Sequence, residues 1–537
     1  MRIFVKISIL LIIVISAFSC KKETSWDIDA AIPIARSHLN ISNFFGDTIF
    51  KEDAAGLVHL SFSKEILNLT IDSLVKLPDT TVNIGYTALF NSSLNPGDLI
   101  YTNAGTASNQ EITFDVANGV QLNKAIVRSG FLKIEYFNTY AQPLNFVYDI
   151  NSAKLWGNVF HVNQTIAGGS LAVPSTFIKY YSLKDYDLNL TGISFNKVNT
   201  LVQTYTIKTD LSGATDVLTA GHGLNIKLSF VDIIPEYIQG YFGQQDLSFG
   251  PDSSYFGLLN NFSTQNFKLT QSQINFSIIN EFGIELSSTI SKVKSIKVNP
   301  YNSVTLNTGS LLQSMNINRA GKTNVPSNPV FPYIKQIILN NTNTNLNPFL
   351  ENIPNYLSYT VKAKLNPLGN ISAGNDFAYY GHGLKVIADV DIPLALSANY
   401  FGLTNYANVD FVKLKQLSNV NSCELVLQIK NNYPFSVKIQ GYLIDENKSI
   451  IDSLFSINEN IVNPAITNSS NVVLSSVDSK IISTISNTKL ENLKKCKQIK
   501  FVSYMYLPNQ PTPIKIMGDS YLDLILSANV NYTAKVK

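Results

Sequence analysis

The sequence predicts a mainly β protein: three tandem antiparallel, sandwich-like units with short helices, elongated as a rod. Three observations carry this. Strict period-2 alternation recurs in several segments, which places the apolar set on one face of a half-buried strand. Asn, Ser and Thr take the place of charge on the polar faces, and charged residues make up only 15 % of the 537 residues against 45 % hydrophobic, where globular chains usually carry about 25 % charge. Above all, one segment occurs three times.

The chain opens on a short basic start, Met1 to Lys6, followed by an apolar run from Ile7 to Phe18, then Ser19 and Cys20. These are the parts of a secretory signal, and the run is shorter than the roughly 18–20 residues a membrane-spanning helix needs. Residues 1–19 are therefore expected to be a signal peptide. Ala17-Phe18-Ser19-Cys20 resembles a lipobox, which implies that Cys20 is lipidated and becomes the new N-terminus; simple secretion is the alternative. Residues 20–25 form a lipidated stub. The expected location is the outer membrane, lipid-anchored, with the periplasmic or cell-surface side undetermined.

The triplicated segment is Leu132-x-Ile134-x-Tyr136-x-Asn138-x-Tyr140, Ile274-x-Phe276-x-Ile278-x-Asn280-x-Phe282 and Leu425-x-Leu427-x-Ile429-x-Asn431-x-Tyr433. Each Asn falls on the apolar face as its strand ends, where its side chain can bond free backbone groups and start a turn. A second element, Gly221-His222-Gly223-Leu224 and Gly381-His382-Gly383-Leu384, opens a strand that runs on to Asp232-Ile233-Ile234-Pro235 or Asp391-Ile392-Pro393. A short helix is expected next, ending at Tyr241-Phe242-Gly243 or Tyr400-Phe401-Gly402. Trp26-Asp27-Ile28-Asp29, Ile32-Pro33 and Phe44-Phe45-Gly46 follow the same order. Gly518-Asp519-Ser520-Tyr521 opens a further, degenerate copy whose alternation is displaced by one. A third element, a short helix leading into a strand, is read at Phe349–Pro354 and Lys489–Leu493, with Phe195–Val202 as a candidate first copy. Units are drawn at 26–223, with an insertion at about 47–110, at 224–383 and at 384–537. Pro/Ser/Gly-rich spacers are missing between them, so the units should abut.

The polar stub after Cys20, the Trp-Asp-Ile-Asp…Ile-Pro start and the repeated Asn-ended strands resemble large lipoproteins of the Bacteroidota. The Asn-ended strand and the hairpin after it also resemble, weakly, the sandwich domain of type-2 late-embryogenesis proteins. The first resemblance implies that short Asp-Ser/Thr-apolar sites are O-glycosylated, which points to Thr48, Ser73, Thr80 and Ser453. Lys21-Lys22-Glu23 is a partial match to the acidic signal that sends such lipoproteins to the cell surface.

Chemistry-bearing motifs are scarce. There is no His-Glu-x-x-His, Gly-x-Ser-x-Gly or phosphate-cradling Gly-Lys loop. Of the five histidines (38, 59, 161, 222 and 382), only His222 and His382 occupy equivalent places, and a turn explains them better than a metal site, since no carboxylate or Cys recurs with them. Cys423 and Cys496 either pair as a disulfide or stay as two buried thiols. The net charge of +3 argues against a nucleic-acid partner, and Lys537 at the C-terminus argues against an outer-membrane barrel. The expectation is a non-enzymatic lipoprotein with no catalytic residues, metal or cofactor, held to the membrane by its lipid and binding an envelope protein or a glycan. Two alternatives stand beside it. One is carriage of a lipid or other hydrophobic ligand in a groove lined by Ile34, Leu39, Phe44 and Phe45; the other is glycan binding or degradation.

Overall fold

A computed structural model describes residues 24–40, 50–100, 110–213, 215–256, 263–265, 267–397, 400–409, 420–455, 461–469, 472–506 and 513–536. Strands dominate and all the ladders between them are antiparallel; the helices are short, at Ile71–Leu74, Leu346–Glu351 and Asn487–Lys495. The mainly β, repeated architecture is as the sequence predicts.

The repeat is visible strand by strand. Each Asn-ended strand (Gln121–Asn138, Gln273–Asn280, Val420–Asn431) pairs with a closing strand (Gly223–Tyr241, Gly383–Pro393, Tyr521–Val536). The register is the same in all three: Asn138 stands opposite Leu224, Asn280 opposite Leu384 and Asn431 opposite Leu522. The degenerate third copy thus aligns residue for residue once Tyr521 is set where Gly223 and Gly383 stand. An outer strand flanks the Asn-ended one in every unit: Ser175–Ser182, Tyr333–Asn340 and Val477–Thr484. A second layer faces this one, built on the pairs Leu144–Leu155 with Thr200–Thr209, Leu286–Lys297 with Tyr356–Leu365, and Ser436–Ile444 with Gln498–Tyr506; in the first unit the short strand Asp187–Asn189 pairs with both layers and joins them into one sheet. Alternating side chains from the two layers interdigitate, as in other sandwiches, and one continuous apolar core runs through all three units.

The fourth strand of each first sheet comes from an unexpected place. The closing strand of the first sandwich is flanked by Thr80–Thr87, that of the second by Val58–Thr70 and that of the third by Thr24–Asn40. The N-terminal segment therefore visits the sandwiches in reverse order, third to first, before the chain returns through them. The stretch expected as an insertion at about 47–110 holds the leading strands of the second and first sandwiches. The sheets consequently do not divide at 223/224 and 383/384, and the strand that begins near Trp26 belongs with the C-terminal strand.

The sandwiches stack head to tail. Asp376–Tyr379, just before the second closing strand, pairs with residues 237–240, the part of the first closing strand beyond Pro235. Ile514–Lys515, just before the third, pairs likewise with Ala395 and Leu396 beyond Pro393. The corner end of one sandwich thus seats on the far end of the one before it in sequence. This pairing also explains a correction. Residues 236–241 and 395–397, expected to lie in short helices, are strands, because ladder partners on a neighbouring strand outweigh local preference. Among the expected second helices, those at 346–351 and 487–495 form, whereas 195–202, the candidate first copy, is irregular chain that runs into the strand Thr200–Thr209.

Candidate functional site

The repeated polar residues are structural. Asn138, Asn280 and Asn431 are fully buried. In each, Oδ1 accepts from the backbone N–H two residues on, at 2.9, 3.0 and 2.9 Å. Nδ2 donates to the carbonyl four residues on, at 3.4, 3.0 and 3.0 Å. It donates also to Ala167, Asn318 or Asn463 O, at 2.9, 2.8 and 2.8 Å. One side chain thus satisfies three buried backbone groups, and an unsatisfied one would be costly.

His222 and His382 lie beside these corners. His222 Nδ1 lies 2.5 Å from Thr139 O and His382 Nδ1 lies 3.5 Å from Glu281 Oε1, and Thr139 and Glu281 are the residues following the buried Asn. The first glycine of each motif has positive φ, +89° at Gly221 and +79° at Gly381. The second is needed for close approach instead: a Cβ on Gly383 would stand 2.1 Å from Leu69 O, and one on Gly223 2.9 Å from Tyr86 O. The remaining histidines each face a carboxylate across a ladder: His38 with Asp523 at 2.6 Å, His59 with Asp391 at 3.0 Å and His161 with Asp149 at 2.7 Å. Among the described residues no group of three or more His, Cys, Asp or Glu could hold a metal ion.

Cys423 and Cys496 are both buried and are not bridged to each other; Cys496 Sγ lies 3.0 Å from Gln498 O. Burial, aided by Glu424, pushes the Cys423 thiol up to about 11. Cys20 and Thr48 lie outside the described residues. Ser73 is exposed on the one-turn helix Ile71–Leu74. Thr80 is half-buried and donates to Pro78 O at 3.2 Å, and Ser453 is half-buried at the end of Ile450–Ser453.

Two open clefts mark the surface of the first sandwich. One, of about 640 Å³, is lined by Asn123, Lys124, Asn151, Lys154, Asp187, Asn189, Phe195 and Gln239 among others. Lys124 Nζ pairs with Asp187 Oδ2 at 2.8 Å. The amide oxygens of Asn151 and Asn189 are bound by Thr204 Oγ1 at 3.1 Å and Thr191 N at 3.0 Å, which aims their N–H₂ groups elsewhere. Phe195 on the rim is 75 % exposed. Amide donors, an ion pair and a bare aromatic ring suit a hydroxyl-rich ligand. The cleft is assembled from five separate segments, so no local motif signals it.

The second cleft, of about 670 Å³, is lined by Asp72, Asp79, Asp115 and Asp232 with Lys76. It opens where the first closing strand bulges at Asp232, whose φ is +54°, and Asp79 Oδ1 accepts from Asp232 N at 3.1 Å. The candidate glycosylation residues Ser73 and Thr80 adjoin two of its carboxylates. A third space lies inside the second sandwich between Phe62, Phe256, Phe276 and Phe349, and its volume is only about 40 Å³. That is room for a few water-sized spheres of about 10–15 Å³ each. Of the residues expected to line a groove, Ile34 and Leu39 are buried in the strand Thr24–Asn40, and Phe44 and Phe45 lie outside the described residues.

At the junction of the first two sandwiches, Lys322 stands over the rings of Tyr237 and Phe377, 4.9 and 4.7 Å from their centroids. It donates to Tyr237 Oη and, at 3.1 Å, to Gln239 Oε1. Burial, and then the neighbouring charges of Lys124 and Arg319, pull its pKa below the ordinary lysine value.

No protein-family model and no curated protein matches the chain. Among solved structures, it is similar to a protein described as secreted from Parabacteroides distasonis, at 10 % identity and a TM-score of 0.28, over 94 % of this chain and 99 % of that one. A chain of infectious bursal disease virus, Gt strain, aligns at 9 % identity and a TM-score of 0.10, over 91 % and 83 % of the two chains.

Proposed function

We propose that this chain is an envelope lipoprotein, held to the outer membrane through acylated Cys20, whose stacked sandwiches act as a non-enzymatic spacer presenting a surface to an envelope protein or glycan. The observation that carries the reading is the position of Thr24. It pairs with Val536 at the end of the third sandwich that faces away from the second. Cys20 is four residues before it, a reach of at most about 14 Å. A lipid there would hold the stack by one extremity, with the third sandwich nearest the membrane and the first furthest from it. Replacement of Cys20 by Ser is expected to abolish incorporation of labelled palmitate and to move the protein from the membrane to the soluble fraction. Unchanged labelling and fractionation would overturn the anchor. Protease accessibility on intact cells reads which face of the membrane bears it.

The 640 Å³ cleft favours a glycan as the ligand class. Lys124→Ala with Asp187→Ala should weaken binding of envelope polysaccharide in calorimetry, and equal binding by both proteins would exclude the cleft. The 40 Å³ interior space counts against carriage of a lipid chain in the second sandwich. The acidic cleft is where a hydrolytic alternative is tested: no glycan turnover by the parent protein is expected, and turnover that Asp79→Asn or Asp232→Asn abolishes would establish hydrolysis there.

A further inference from the structure

Two of the three corner ends are covered by a neighbouring sandwich; the corner end of the first is not. There the strand equivalent to Asp376–Tyr379 is Asp216–Leu218, and it pairs instead with Ser92–Leu94 from the N-terminal segment. The stack is capped by its own chain. End caps in stacked arrays ordinarily turn a polar face to water. This one does the reverse: Leu89 is 85 % exposed, Leu211 83 %, Val173 74 %, Phe90 71 % and Leu171 57 %.

The loops bearing these side chains converge. Ala88 O accepts from Gly221 N at 2.8 Å, Tyr140 O from Gly169 N at 2.6 Å and Pro143 O from Asp210 N at 2.9 Å. At such exposure each side chain stands out from its loop rather than lining a groove. Within residues 88–98, 139–143, 167–174, 209–213 and 215–220 the charged residues are Asp98, Asp210 and Asp216. Two of these carboxylates are tied down locally, Asp98 by Asn95 N at 2.7 Å and Asp210 by Ser212 N at 2.8 Å. These segments hold no Lys or Arg to bind an anionic headgroup or an acidic peptide.

We propose that this tip inserts Leu89, Phe90, Val173 and Leu211 into the interface of a lipid bilayer with zwitterionic headgroups. A bilayer moulds itself around separate apolar protrusions, whereas a protein would need a matching socket for each. Interfacial binding of this kind scales with the apolar area buried and needs no basic residues when the headgroups carry no net charge. The tip lies at the opposite extremity from Thr24. If the chain is anchored as proposed above, the tip meets a facing bilayer rather than the one holding the lipid; the insertion itself does not depend on that anchor.

The test uses residues 21–537, which contain all three sandwiches and lack the acylated cysteine. Co-flotation is measured with vesicles of phosphatidylcholine and phosphatidylethanolamine, and with the same lipids carrying one-third phosphatidylglycerol. Binding to the neutral vesicles is expected, with no gain from phosphatidylglycerol. The double variant Leu89→Asp, Leu211→Asp should lower the bound fraction about tenfold with its melting temperature unchanged. Phe90→Trp should show quenching by brominated phosphatidylcholine beyond that of the parent protein, whose own tryptophans are Trp26 and Trp156. The proposal is overturned if the parent does not float, if it floats only with phosphatidylglycerol, if the double variant floats equally well, or if Phe90→Trp is not quenched. Failure to float would point to a protein as the tip's partner and leaves the palmitate test of Cys20 unaffected.

Discussion

Each sandwich turns its chain at two neighbouring places, the Asn corner and the turn that opens the closing strand, and the two differ in how strictly they are kept. The corner has the same residue and the same three hydrogen bonds in every copy. The opening turn is Gly-His-Gly twice and Asp519-Ser520-Tyr521 the third time, yet the bond it must make survives. Gly223, Gly383 and Tyr521 each accept, at 2.9 Å, from the N–H of the residue after the buried Asn. A corner built on a side chain admits no substitute, because no other side chain offers one acceptor and two donors in that geometry. A turn built on backbone groups admits any residue for which the neighbouring strand leaves room.

The strongest way to break this contrast is at the corner. Asn431→Leu strands two carbonyls and one N–H in the core and should destabilise the third sandwich by about 3–5 kcal/mol, read as a shifted first transition in urea. At the turn the expected cost depends on which glycine is changed. Gly383→Ala forces a Cβ against Leu69 O and should cost about 2–3 kcal/mol. Gly221→Ala meets nothing within 4 Å but must hold φ near +89°, for about 1 kcal/mol. Equal losses at both would refute the close-approach account.

The last effect is confined to alkaline pH and is absent at neutrality. Burial raises Tyr140 and Tyr433 well above the ordinary tyrosine value, while the equivalent residue of the second sandwich is Phe282. A phenol whose folded pKa is raised leaves stability intact below its unfolded value and removes it as pH rises. Each should therefore cost about 1.4 kcal/mol per pH unit above about 10. Tyr433→Phe should move the alkaline unfolding midpoint upward, and no movement would show that this tyrosine does not limit it.

These contrasts also explain what could be read from the chain. Period-2 alternation and the terminal Asn are local, so the three Asn-ended strands and their capping role were legible. The leading strands were not, because alternation says that a strand has a buried face but not which strand lies beside it. His38 and Asp523, paired at 2.6 Å, are 485 residues apart. Residues 236–241 looked helical from spacing alone and became strand through the ladder with 121–126. The clefts and the apolar tip draw on loops distant in sequence, and exposure of a side chain such as Leu211 leaves no mark on its neighbours in the chain.

The reversed order of the leading strands sets a schedule for assembly. A chain emerging from its N-terminus releases Thr24–Asn40 first, Val58–Thr70 second and Thr80–Thr87 third, but their partners arrive in the opposite order, at 223–230, 383–393 and 521–536. The last leading strand to appear is the first to be matched, and the first waits for nearly the whole chain. Closure is thus nested, like brackets, and the outermost pair joins the two ends of the molecule. Long-range pairing of this kind folds slowly and leaves unpaired strands open to wrong partners meanwhile. The earliest strand made would need shielding for longest, and a chain stopped before residue 521 would retain two closed sandwiches and one strand, Thr24–Asn40, without its ladder partner.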